Sequence, residues 1–152
     1  MKLFRAAAPA SPGKNLLKTA WMTSVFWLVF VAGLPAFILE LEAHFGLPSF
    51  DLPARDLLAF TVFISMGALN LWSGYTMATL GRGTPLPLDM PNELVVAGPY
   101  AYVRNPMAIG GLGAGAGVGL YFGSWAILAY VVAGGLIWHV AVLPFEERDL
   151  EE

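Results

Sequence analysis

Apolar residues in this chain gather into long uncharged runs instead of alternating with polar ones, and the runs dictate the elements. Residues 19–39 make a run of 21, which at about 1.5 Å per residue crosses a hydrocarbon core of about 30 Å as a helix. A secretory signal would have a shorter apolar region and a small-residue cleavage site, whereas Leu39-Glu40-Leu41-Glu42 follows this run. Pro35 lies within it and is expected to kink the helix. Residues 57–80 form a second run of 24, approached through Leu52-Pro53-Ala54-Arg55-Asp56, where proline and an acidic first turn signal a helix start. The third stretch, residues 105–144, is twice a crossing length and holds Gly123-Ser124 near its middle. It reads as a hairpin of helices near 107–122 and 125–143, the former glycine-rich and short for a full crossing. The prediction is an all-α membrane protein with four transmembrane helices, the last two a Gly-rich hairpin. Residues 1–18, rich in Ala and Pro and without apolar period, are expected to be mobile or to lie on the membrane surface.

Composition agrees. Of 152 residues, 57% are hydrophobic and 12% charged, against about 45–50% and 25% in soluble domains, so one integral membrane domain over 1–152 is expected. With no cysteine there is no disulfide, thiolate metal site or thiol nucleophile. Net charge is −3 with no basic cluster suited to nucleic acid. Lys2, Arg5, Lys14, Lys18, Arg82, Arg104 and Arg148 flank one set of helix ends, and Arg55 stands alone beside Glu40, Glu42, Asp51 and Asp56. The bias puts both termini and the 81–105 loop in the cytoplasm and the 40–56 loop outside, in a bacterial-type inner membrane.

Candidate chemistry concentrates in four places. The 81–105 loop is long, and its four prolines together with Tyr100 and Tyr102 argue for an ordered surface, although tyrosines at helix ends also serve as an interfacial belt. His139 is ionisable within the last apolar helix, a position that demands a cavity or a partner, and Glu146 lies two helical turns on, on the same face. Glu146 and Glu147 head an acidic tail over 145–152 and suit a ligand ammonium; the bland reading is a solvated tail. Asn70, Ser73 and Thr76, three apart, form a polar stripe expected to bond between helices. In the segment GGLGAGAGVG, Gly111, Gly115 and Gly119 fall four apart and predict a close helix contact, not a nucleotide loop, because no strand precedes them. No metal site is expected.

The segments GTPLPLDMPNELVVAGPYAYVRNPM, residues 83–107, and HVAVLPFEERDL, residues 139–150, resemble in order and spacing the isoprenylcysteine carboxyl methyltransferase family and its phospholipid methyltransferase relatives. The resemblance implies an integral membrane enzyme that binds S-adenosylmethionine at the cytoplasmic face between the proline-rich loop, the hairpin and the paired glutamates. Carried over by position, Glu146 and Glu147 look like the pair near the cofactor's aminoacyl end, and His139 like a pocket residue. Leu94, Val95, Gly98, Tyr100, Arg104, Asn105 and Pro106 look like the wrapping loop, with Gly81 and Gly83 as a small-residue approach. The family usually has tyrosine where Ala108 stands, and its members continue past the paired glutamates with a segment containing Phe-Gly and two tyrosines. This sequence ends at Glu152, so the expectation is either a shortened chain or a reduced member of the family.

Methyl transfer from a sulfonium is an in-line displacement that chiefly requires positioning and exclusion of water. The expected partners are membrane lipids and a lipophilic or small-molecule methyl acceptor. A carboxylate acceptor is already ionised and Arg104 could grip it with both prongs. An amine or thiol must lose a proton, for which His139 is the available base. Arg104 and His139 are thus the catalytic candidates. Two other readings remain open: an NADPH-dependent membrane sterol or enone reductase, disfavoured by the few basic groups for a 2′-phosphate, and a non-catalytic helical membrane subunit.

Overall fold

The computed structural model describes residues 12–81 and 95–142, and within them the chain is helical, with one isolated antiparallel bridge between Ser49 and Ser124. Helix α1 (Pro12–Phe26) passes into a π-helical stretch, Trp27–Gly33, and then into α2 (Leu34–Phe45). The first helix therefore begins at Pro12, earlier than expected, and residues 12–18 are helical. Proline is well placed at a first helical position, where its missing N–H has no partner to lose. Pro35 is accommodated by the widened turn before it: the Leu34 N–H reaches back five residues to the Val29 carbonyl, and the helix continues to Gly46, whose φ of +63° closes it.

Helix α3 (Arg55–Leu80) follows, then a 3₁₀ turn (Gly98–Ala101), α4 (Pro106–Phe122) and α5 (Trp125–Ile137), which ends in a π-helical turn, Trp138–Val142. By length and composition two helices can cross a membrane, Gly13–Phe45 with 33 residues and Arg55–Leu80 with 26; α4 and α5 are shorter apolar helices.

The burial pattern is inverted relative to a soluble domain. Among the described residues the buried hydrophobics are Val31, Ala59, Ala78, Ala114 and Ile127, mostly small, while Asn15, Thr19, Asn70, Ser73, Thr76 and Ser124 are buried polar residues. Large side chains such as Leu28, Leu57 and Leu71 are about 70% exposed. Between helices in lipid there is no hydrophobic gain from burying leucine, so close approach of small residues holds the bundle together.

Glycines set that approach on two faces of α4. A Cβ on Gly110 would stand 2.8 Å from the Met66 carbonyl, one on Gly117 would stand 3.0 Å from the Phe63 backbone, and one on Gly113 would collide with the Met66 side chain. This Gly110/Gly113/Gly117 face brings α4 onto the backbone of α3. The predicted Gly111/Gly115/Gly119 stripe does make close contacts, but elsewhere: Gly115 and Gly119 meet Val131 and Leu128 of α5, and Gly111 meets Phe26. One stripe was expected; the second glycine face, three and seven residues apart, does most of the α3 packing.

At the end of the bundle near residues 42–56, side chains close the gaps. The Glu42 carboxylate accepts from the Ser124 hydroxyl at 2.9 Å and the Ala126 N–H at 3.2 Å, capping α5 from another helix. Phe50 N–H donates to the Gly123 carbonyl at 2.8 Å, and the Phe50 ring lies 4.6 Å from that of Trp125, tilted by 51°. Arg55 donates to the Phe50 carbonyl and pairs with Asp51 and Asp56.

Candidate functional site

Helix α4 begins part-way down α3, because Asn70 in the middle of α3 donates from its Nδ2 to the Met107 carbonyl at 2.9 Å. The break is local and legible. Asn105 caps α4 by accepting the Ala108 N–H at 3.1 Å, and Pro106, fully buried, occupies the first helical position. The chain before it folds back along the upper turns of α3. Gly98, with φ +55°, lies where an added Cβ would be 3.0 Å from the Thr76 hydroxyl and 3.5 Å from Trp72 Nε1, so only glycine fits. Gly81 is buried, and a Cβ there would meet Val95 Cγ2 at 2.8 Å, so the two ends of the loop touch.

Of the site residues read from the sequence, Gly81, Val95 and Gly98 therefore gather on the last turns of α3, with Tyr100 half-buried in the 3₁₀ turn. Asn105 and Pro106 head α4, and Arg104 is exposed just before them, at the positive end of that helix. Gly83, Leu94, Glu146 and Glu147 lie outside the described residues.

His139 departs from expectation. It is exposed on the π-helical turn after α5, with no hydrogen bond or ion pair among the described residues, and it lines neither the cleft between α1 and α3 nor the smaller one between α3 and α4. The α4–α5 register, in which Gly119 meets Leu128, Gly115 meets Val131 and Gly134 and Gly135 meet Leu112, brings position 139 level with the start of α4. Depth agrees with a site role, whereas its outward exposure does not seat it in a pocket. The polar stripe is likewise only partly as expected. Asn70, Ser73 and Thr76 are all buried, but Ser73 and Thr76 satisfy their hydroxyls on carbonyls of their own helix, Leu69 and Trp72, and only Asn70 bonds across.

The structure also shows a feature the sequence reading passed over. A cleft of about 340 Å³ opens between α1 and α3 beside the start of α4, with Thr19, Trp27, Asn70 and Gly74 in its lining. The signal was available: Thr19, Thr23 and Trp27 recur four apart on one face of the first helix. Long uncharged runs invite reading by hydropathy alone, which hides a row of hydroxyls.

The residues present fit an S-adenosylmethionine carboxylate at one point: Arg104 and the N-terminus of α4 supply positive charge where backbone segments approach closely. Among the described residues no group of side chains could hold a metal ion. A family model described as phospholipid methyltransferase matches residues 54–152, from the start of α3 to the end of the chain. No curated protein and no solved structure matches.

Proposed function

The chain belongs to the phospholipid methyltransferase family, and on that premise we propose that it transfers a methyl group from S-adenosylmethionine to a lipophilic or small acceptor at the cytoplasmic face of the membrane. The family implies methyltransferase activity in a membrane. The observation that supports the finer reading is the fold-back of residues 95–106 onto α3, which brings exposed Arg104 to the positive end of α4, next to the close backbone approaches at Gly81 and Gly98. The apolar runs support four crossings, and the seven-to-one distribution of basic residues supports placing both termini inside. α4, starting part-way along α3, would then leave a recess at the cytoplasmic side.

When bound, S-adenosylmethionine supplies an electrophilic methyl group on a sulfonium. The chain's own residues hold and orient. Arg104 grips a carboxylate, of cofactor or of acceptor, through two parallel N–H donors, and Glu146 and Glu147 take the cofactor's ammonium. Val95, Gly98 and Tyr100, with Gly81, form the wall that excludes water, and the backbone at Asn105 and Pro106 closes it; Gly83 and Leu94 belong to the same loop by sequence. His139, level with that corner, is the group available to accept a proton from an amine or thiol.

Calorimetric titration of the detergent-solubilised chain with S-adenosylmethionine, and separately with NADPH, tests the reading. Glu146→Gln is expected to weaken S-adenosylmethionine about 10- to 150-fold, the loss of one charge-assisted hydrogen bond, and Glu151→Gln to leave it unchanged. Binding of NADPH in preference, or equal small effects at both glutamates, overturns the proposal. Topology is checked by maleimide labelling of Ser49→Cys, expected to react from outside intact cells.

A further inference from the structure

Three residues that line the α1–α3 cleft each carry a buried polar side-chain atom without a hydrogen-bond partner among the described residues: Thr19 Oγ1, Trp27 Nε1 and Asn70 Oδ1. Thr19 and Asn70 are 5% and 4% exposed. An orphaned buried polar atom costs about 1–3 kcal/mol, and in a bilayer no bulk water relieves it. A buried hydroxyl in a helix normally finds a carbonyl on its own helix, as Ser73 and Thr76 do and Thr19 does not. Asn70 cannot turn away, since its Nδ2 is committed to the Met107 carbonyl, and this fixes the amide with Oδ1 left unpartnered in a residue that lines the cleft. Trp27 is wedged by its ring, 5.7 Å from Phe63 in an edge contact and against Gly67, at the first residue of the π-helical stretch.

The three atoms have a definite chemistry. Trp27 only donates, Asn70 Oδ1 only accepts, and the Thr19 hydroxyl does either. No lining side chain is charged, the remaining walls are largely apolar, and the rim residues Ala20, Leu71 and Tyr75 are exposed on the surface that would face lipid. A carboxylate, phosphate or ammonium would enter without a counter-charge, at a cost that hydrogen bonds do not offset. A hydroxyl both gives and takes a hydrogen bond, and its hydrocarbon body suits the rim. The volume is at the lower end for a small-molecule site.

We propose that the α1–α3 cleft binds the uncharged hydroxyl head of a single-chain lipid entering sideways from the bilayer. This goes beyond the methyl-transfer reading and stands independently of it. The α1 wall also lies outside the residues that the family model matches.

The test uses the full chain in phosphatidylcholine nanodiscs with a diazirine-bearing oleyl alcohol as the photoprobe, competed by unlabelled oleyl alcohol, oleate or oleylamine. Crosslinks are expected on peptides covering Thr19 to Trp27 and Asn70 to Tyr75, with the alcohol competing at least about tenfold better than either charged amphiphile. Thr19→Val keeps shape and Trp27→Phe keeps an aromatic ring, and each removes one hydrogen-bonding group, so each should weaken capture about 3- to 10-fold. Thr61→Val, whose hydroxyl bonds its own helix away from the cleft, should leave it unchanged. Ala20→Phe retains all three polar atoms but fills the cleft, and should abolish capture even if the polar variants fold poorly. Equal competition by the three amphiphiles, or capture undiminished in Ala20→Phe, overturns the proposal.

Discussion

Glu42 and Phe50 at one end of the bundle reach across to Gly123, Ser124 and Ala126 through bonds between parts of the chain far apart in sequence, and Arg55 ties back to the Phe50 carbonyl. In the other region, where α4 starts beside Asn70, a positive helix end meets exposed Arg104, and the residues lining the neighbouring cleft carry three polar atoms without partners among the described residues. The first end is built for stability: a carboxylate caps a foreign helix, Ala54 tolerates a φ of +56°, and an arginine is paired twice. The second gathers three unsatisfied polar atoms around one cleft, whereas the first leaves one, Arg55 Nε, among the described residues. Unused hydrogen-bonding capacity, more than charge, distinguishes the working end in a chain with so few charges.

Mutations should separate the two ends cleanly. The largest expected effect is Gly123→Val at the stable end. Gly123 has φ +64°, and an added Cβ would collide with the Phe50 carbonyl and lie 2.8 Å from Arg55 Nη1. Backbone strain and overpacking together should cost about 2–5 kcal/mol in denaturant unfolding in micelles. Methyl transfer per folded molecule should be unchanged; a proportionate loss of activity would dissolve the distinction between the ends.

Arg104→Lys makes the opposite test. Turnover is expected to fall about tenfold or more at matched folded protein, because an ammonium cannot reproduce a planar two-pronged contact, while the melting temperature stays within a degree or two. Scoring carboxylate, amine and thiol acceptors side by side sharpens this, since a loss confined to carboxylates identifies the acceptor as the partner of Arg104. Turnover equal to wild type would leave Arg104 as a topology determinant at the interface.

Asn105 offers a finer division, as it caps α4 and also stands among the cofactor-loop candidates. Asn105→Ser preserves the cap, so thermal stability should change by less than about 0.5 kcal/mol. A several-fold weakening of S-adenosylmethionine binding is expected nonetheless; unchanged binding restricts Asn105 to the cap. The smallest effect belongs to Glu42→Ala, which removes a partly exposed cap and should cost about 1 kcal/mol by the same unfolding measurement, with kcat unaltered.

Much of the architecture was decided by the sequence alone. Uncharged runs of crossing length, Gly123-Ser124 as a hairpin turn, and Asn105-Pro106 as cap and first residue act over a few neighbours, so they can be read without knowing the fold. The same holds for the family, carried by two motifs of fixed spacing. Tertiary structure decided what depends on register between helices. It chose which glycines of α4 meet α3, turned His139 outward, and satisfied Ser73 and Thr76 on their own helix while leaving Asn70 to bridge. It also set Thr19 and Trp27 opposite Asn70, residues about fifty apart in the chain, to make one cleft. The physical reason is that hydropathy and capping are local sums over adjacent residues, whereas a site is a coincidence of side chains across helices whose rotation and offset follow from the closest backbone approach their small residues permit.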